Sequence, residues 1–206
     1  MRKVVDLATR TYHWLFAASF IGAYLTAESE RFRLLHVALG YTMFGLLGFR
    51  LLWGVIGPKH MRLSALFRKL KGFKIVREAF RSGQLLQSGN LKQSANLLMS
   101  LVIVALLISV IPLTLSGYAV YNEYAGKWLE EIHEFFGEFM LILVLTHLVM
   151  IAIVSLLRRS NLAQTMITGT ISGTGPDLIK SEYRFISVAI LLSVVSWLIG
   201  YMFFIH

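Results

Sequence analysis

The chain contains no cysteine. That absence excludes disulfides, cysteine-ligated iron–sulfur clusters and the C-x-x-C-H attachment of a covalent haem. A redox cofactor, if present, must be held non-covalently by side chains such as His or Met. Acidic residues are also scarce, 11 against 20 lysines and arginines, for a net charge of +9. In a soluble protein that surplus would suggest nucleic acid. Here 56% of the residues are hydrophobic and the mean hydropathy is +0.67, which points to a polytopic membrane protein. The surplus then reports Lys and Arg kept on the cytoplasmic side, with no role for nucleic acid.

What is present is a series of long apolar stretches. The first runs from Thr11 to Ala27 and extends back through Leu7 and Ala8 to spanning length. Its basic start and small end also fit a secretory signal peptide, but His13 lies inside it. The second runs from Leu34 to Ile56, the third from Leu97 to Leu115 with Pro112 expected to kink it near its end, the fourth from Ile132 to Leu157 and the fifth from Phe185 to Ile205. Between the second and third, residues 58–96 carry nine Lys or Arg and one acid, Glu78, interleaved with apolar residues. That pattern predicts one or two basic amphipathic helices lying on an anionic leaflet. Loops are expected at 117–131 and 161–183. Gly45 and Gly48 are expected to be helix-packing contacts.

Charge sets the orientation. The N-terminus, Arg50 and the loops at 58–96 and 158–184 hold 17 of the 20 basic residues. The positive-inside rule places them in the cytoplasm and the C-terminus in the periplasm of a bacterial inner membrane. The outer segments carry Glu28, Glu30, Glu123, Glu130, Glu131 and Glu134 against Arg31, Arg33 and Lys127. A mildly acidic outer face suits a basic partner.

The histidines carry the chemistry. His133 and His147 stand fourteen residues apart in the fourth stretch. On an α-helix that is about four turns, so both imidazoles leave one face roughly 21 Å apart along the axis. The hydrocarbon core is about 30 Å thick, so one imidazole lies near each surface. By depth, His36 pairs with His133 outside and His13 with His147 inside. Two neutral imidazoles at one level on facing helices are suitable axial ligands for a b haem. His36 and Gly40 form H-x-x-x-G, as do His133 and Gly137. Each glycine removes a side chain that would collide with a porphyrin. Arg10 and Arg50 lie near the inner level, where they could neutralise the propionates of the inner haem. Single membrane histidines often serve only as hydrogen-bonding groups between helices, but four that pair by depth do not fit that role. A proton relay or metal transporter would add carboxylates at mid-depth, which spans one to four lack near the bilayer centre. A zinc site would cluster its ligands at one level. His206 is expected to have no functional role.

The sequence resembles the hydrogenase-type b-cytochrome family, the membrane subunits that link nickel–iron hydrogenases and related periplasmic redox proteins to quinone. Arg10-Thr11-Tyr12-His13-Trp14-Leu15 is similar to the family's R-x-x-H-W-L opening. Leu35-His36, Gly40 and Arg50-Leu51-Leu52-Trp53-Gly54 match its second helix, and Gly57-Pro58-Lys59-His60-Met61-Arg62 is similar to its G-x-x-H-A-R segment. Ser116-Gly117 fits the end of the third helix; His133, His147 and residues 161–169 match the last helix and tail. The resemblance covers roughly residues 8 to 170. It departs at Gly89-Asn90-Leu91-Lys92, which replaces a G-H-N-P stretch, and in the added fifth span.

The resemblance implies a four-helix core with two haem b groups on His13, His36, His133 and His147, electron exchange with quinone, and a role for His60 near haem propionates or quinone. The resulting expectation is an all-α integral membrane protein. Residues 1–170 form the four-helix di-haem bundle, and residues 171–206 form a linker and an additional transmembrane helix. The expected function is electron transfer across the bilayer between the quinone pool and a periplasmic c-type cytochrome or hydrogenase-like protein, as the membrane subunit of a quinone-linked oxidoreductase. Two alternatives stand beside it: a stand-alone quinone-coupled superoxide oxidase, and a haem-free anchor or transporter. Membrane lipid is a partner in every case, and the fifth span could dock the redox partner or a second copy in a homo-oligomer.

Overall fold

The computed structural model describes residues 1–59, 61–70, 72–84, 87–124 and 126–204. His60 and His206 lie outside the described residues. The element order is β1 (Arg2–Lys3), α1 (Leu7–Thr26), a 3₁₀ turn (Glu30–Phe32), α2 (Arg33–Ile56), α3 (Leu63–Leu70), α4 (Phe73–Arg81), α5 (Ser88–Tyr121), α6 (Lys127–Arg158), α7 (Leu162–Thr168), β2 (Thr170–Ile171) and α8 (Arg184–Phe204). The fold is an all-α membrane architecture, as expected, with one two-residue strand pair added.

Four of these segments are long and apolar enough to cross a membrane: Glu30–Ile56, Gly89–Tyr121, Lys127–Arg158 and Arg184–Phe204. The 20-residue α1 is not among the four, and it carries Arg10, Tyr12 and His13 in its first half. Helix α5 corrects the expected boundaries. It begins at Ser88 and continues through Pro112 to Tyr121, and α6 begins at Lys127, so much of the stretch expected as a loop at 117–131 is helical. The hydroxyls of Thr114 and Ser116 donate to the carbonyls of Val110 (2.7 Å) and Pro112 (2.6 Å). These hydroxyls add hydrogen bonds to backbone carbonyls beside the proline, a kind of support that lets membrane helices tolerate it. The basic segment forms α3 and α4, two short helices.

The chain divides into two units. One comprises Met1–Val5, Leu51–Leu106 and Leu141–Lys180. Within it, Ala95, Met150 and Val154 form a buried cluster flanked by Met99, Leu157 and Leu162, and Arg158 donates to Asn96 at 2.7 Å. The same unit holds the strand pair, with Arg2 opposite Ile171 and Lys3 opposite Thr170. Gly169 caps α7 in the left-handed region (φ 77°), which turns the chain back so that its carbonyl accepts from Val4. Leu178 and Asp177 hold the backbone of Lys3 from the other side.

The second unit comprises Asp6–Arg50, Leu107–Met140 and Ser181–His206. Here the fully buried Asp6 caps α1 by accepting from the N–H and hydroxyl of Thr9, both at 2.8 Å. Helices α1 and α2 approach at Gly22, where a β-carbon would come within 2.7 Å of Leu39 Cδ1. Gly45 and Gly48, expected to make packing contacts, do not: a β-carbon on either meets no atom within 4 Å.

Candidate functional site

His36 and His133 come together in the second unit. His36 stands near the start of α2 and His133 near the start of α6. Their ring centroids are 5.9 Å apart and the ring planes cross at 83°. Each ring is held at Nδ1 by a backbone carbonyl. His36 Nδ1 donates to the Ala23 carbonyl at 2.8 Å, and His133 Nδ1 donates to the Leu113 carbonyl at 2.9 Å. A carbonyl can only accept, so both Nδ1 atoms carry the proton and both Nε2 atoms keep a free lone pair.

The local sequence explains each anchor. Ala23 lies in the last turn of α1, where carbonyls lack intrahelical partners. The N–H of Ala27 bonds to Tyr24, which leaves the Ala23 carbonyl for His36 and the Thr26 hydroxyl. On α5, Gly117 lets the His133 ring approach the backbone: a β-carbon there would meet Cε1 at 2.7 Å and Nδ1 at 3.0 Å. The Ser116 hydroxyl lies 3.4 Å from the same Nδ1. Sequence reasoning from composition and spacing missed Ala23 and Leu113; Ser116 and Gly117 were signalled only through the resemblance.

The expected glycines sit in open space. A β-carbon on Gly40 or Gly137 meets no atom within 4 Å. Farther along α6, His147 is half-buried, and its Nδ1 has no hydrogen-bond partner among the described residues. His13 belongs to the second unit and His147 to the first. The His13 ring lies edge-on to Trp14, with centroids 5.4 Å apart. Arg10 pairs with Glu182 at 3.2 Å. Arg50 has a buried Nη1 with no hydrogen-bond partner among the described residues. Glu138, between the two histidines of α6 and exposed, is a carboxylate that sequence reasoning passed over.

Residues 4–169, most of the chain, match the family described as prokaryotic cytochrome b561. The chain belongs to this family. It is therefore a multi-pass membrane b-type cytochrome, an electron-transfer protein of a family that binds haem b. No curated protein and no solved structure matches it.

The residues present in this cytochrome fit that group. Two imidazoles gripping one metal ion from opposite sides, each through a bond of about 2 Å, have centroids roughly 6 Å apart, and those of His36 and His133 are 5.9 Å apart. Among the described residues no group of three or more His, Asp or Glu could hold a metal ion. A haem needs only two protein ligands, because its porphyrin supplies the other four donors.

Proposed function

We propose that this cytochrome holds two haem b groups and carries electrons across the bacterial inner membrane, between the quinone pool and a redox protein on the outer face. The observation that carries the reading is the facing pair His36 and His133, each with Nδ1 donated to a backbone carbonyl and Nε2 left for iron. In this reading His13 and His147 are the corresponding inner pair, and α1 crosses the bilayer as a fifth span. Its polar residues are offset by packing within the chain.

When bound, each haem supplies a one-electron carrier. The protein's part is placement. The carbonyls of Ala23 and Leu113 fix the tautomer and orientation of the outer ligands and raise their basicity. Gly40 and Gly137 leave room beside them. Arg50, and Arg10 in competition with Glu182, would neutralise the propionates of the inner haem. Electron tunnelling falls steeply with distance, and the histidines of α6 stand roughly 21 Å apart along the helix, so two stations serve a bilayer that one cannot.

The acidic outer segments support a basic protein partner such as a c-type cytochrome, and they disfavour an anionic substrate such as superoxide. The positive-inside distribution supports an inner N-terminus and an outer C-terminus.

The test is a reduced-minus-oxidised optical spectrum with haem quantitation on wild type, His36→Ala and His147→Ala. The expected result is about two b haems per chain, with each variant losing one spectrally distinct haem. One haem per chain, lost in only one variant, would overturn trans-membrane transfer by this chain alone.

A further inference from the structure

Helix α8 lies beyond the family match, which ends at residue 169, and nothing in the four-helix scheme requires it. Within the second unit it packs on both helices that meet at His36. On α1, the hydroxyls of Thr11 and Ser187 lie 2.5 Å apart, and Arg10 pairs with Glu182 just before α8. On α2, the indole N–H of Trp197 donates to the carbonyl of the fully buried Ala38 at 3.4 Å. The rings of Trp197 and Tyr201 both meet Tyr41 edge-on, at 6.3 and 5.8 Å. They also pack on each other at 5.2 Å, and Tyr201 is 4% exposed.

Ala38 and Tyr41 follow His36 on α2, within about a turn and a half of it. Tyr41 also touches Tyr118 of α5 at 6.2 Å, and Tyr118 is the neighbour of Gly117, which abuts the His133 ring. Tyr41 is thus clamped by α8 on one side and by α5 on the other. A rotation of α2 that released Tyr41 would swing His36 away from the Ala23 carbonyl, and that bond spans the α1–α2 gap.

We propose that α8 sets the orientation of His36, with Trp197 and Tyr201 as positioning residues for the outer haem ligand. This rests on the functional reading above, that His36 and His133 share one haem and that a second, inner haem is present to serve as the control. The role is independent of any docking partner.

The test uses the full chain in its haem-loaded form. Tyr201→Ala, Tyr201→Phe and Trp197→Phe are compared by the low-spin ferric electron paramagnetic resonance spectrum and by redox potentiometry, with the inner haem as internal control. Tyr201→Ala is expected to shift the outer haem's signal and midpoint, or to lower its occupancy by half or more, with the inner haem unchanged. Tyr201→Phe should restore the wild-type signal, because the ring and not the hydroxyl packs on Tyr41. Unchanged signals in Tyr201→Ala, or equal shifts of both haems, would overturn the proposal. If Tyr201→Ala does not accumulate, Trp197→Phe decides: a shifted outer signal supports the proposal and an unchanged one overturns it. A wild-type chain without an outer haem would overturn both this proposal and the functional reading beneath it. A normal wild type with insensitive variants would overturn only the role of α8.

Discussion

A β-carbon on Gly117 would lie 2.7 Å from Cε1 of His133. The ring is close enough to the α5 backbone for its Nδ1 to reach the Leu113 carbonyl, and only glycine permits that approach. Gly117→Ala is therefore expected to push the ring off its acceptor. Overpacking of this kind costs about 1–3 kcal/mol. The expected spectrum keeps one b haem and loses or shifts the other, as in His133→Ala. An unaltered spectrum would show that the ring position does not matter to the cofactor.

Gly40 and Gly137 call for the opposite outcome. A β-carbon at either position touches nothing in the protein, so substitution by Ala costs the polypeptide no clash. It also removes a helix glycine, which favours the helix by up to about 1 kcal/mol. If a porphyrin fills those spaces, Gly40→Ala and Gly137→Ala should give apoprotein at least as stable as wild type that loads the outer haem poorly. Thermal melts of the apoprotein and haem quantitation after reconstitution separate the two effects. Variants that load two haems normally would remove the porphyrin from those spaces.

The contrast between these glycines shows what the sequence could and could not disclose. Imidazoles are rare in apolar stretches, so the histidines stood out, His36 and His133 among them, which the fold brings together, and the positions of α2, α6 and α8 were legible too. The acceptors that hold the rings were not. Every residue carries a carbonyl, so Ala23 and Leu113 have no side-chain signature. Whether a glycine packs or faces open space depends on helix rotation, which explains why Gly45 and Gly48 were misread while Gly22, against Leu39, passed unnoticed. Pro112 read as the approaching end of a helix because the Thr114 and Ser116 hydroxyls that bond to neighbouring carbonyls act only once the helix exists. Strands of two residues, such as those at Arg2–Lys3 and Thr170–Ile171, have no periodicity to detect.

The angle between the outer imidazoles gives a spectroscopic expectation. The ring planes of His36 and His133 cross at 83°. Near-perpendicular axial imidazoles leave the iron d orbitals almost degenerate, which spreads a low-spin ferric signal over a wide field range. The oxidised protein should show such a strongly anisotropic signal, absent in His36→Ala and retained in His147→Ala. A narrow rhombic signal as the one lost in His36→Ala would mean that the rings turn parallel on cofactor binding.

The basic segment should be held in the lipid headgroups. Helices α3 and α4 leave large apolar side chains outward, with Phe67 57% and Phe80 73% exposed, beside Arg68, Lys74, Arg77 and Arg81. The buried Leu66 and Ala79 mark the faces turned to the protein. Exposed phenylalanines next to cations are costly in water and favourable at an anionic leaflet, where each basic residue contributes about 1 kcal/mol. Because the chain lacks cysteine, Phe80→Cys gives a single site for a nitroxide label. In bilayers containing phosphatidylglycerol the label should collide readily with oxygen and little with a water-soluble nickel complex. Adding Lys74→Glu and Arg77→Glu should reverse that preference, and so should replacing the anionic lipid with phosphatidylcholine, less completely. A label freely reached by the nickel complex in anionic bilayers would mean that α4 stands clear of the membrane and that its phenylalanines are covered by something other than lipid.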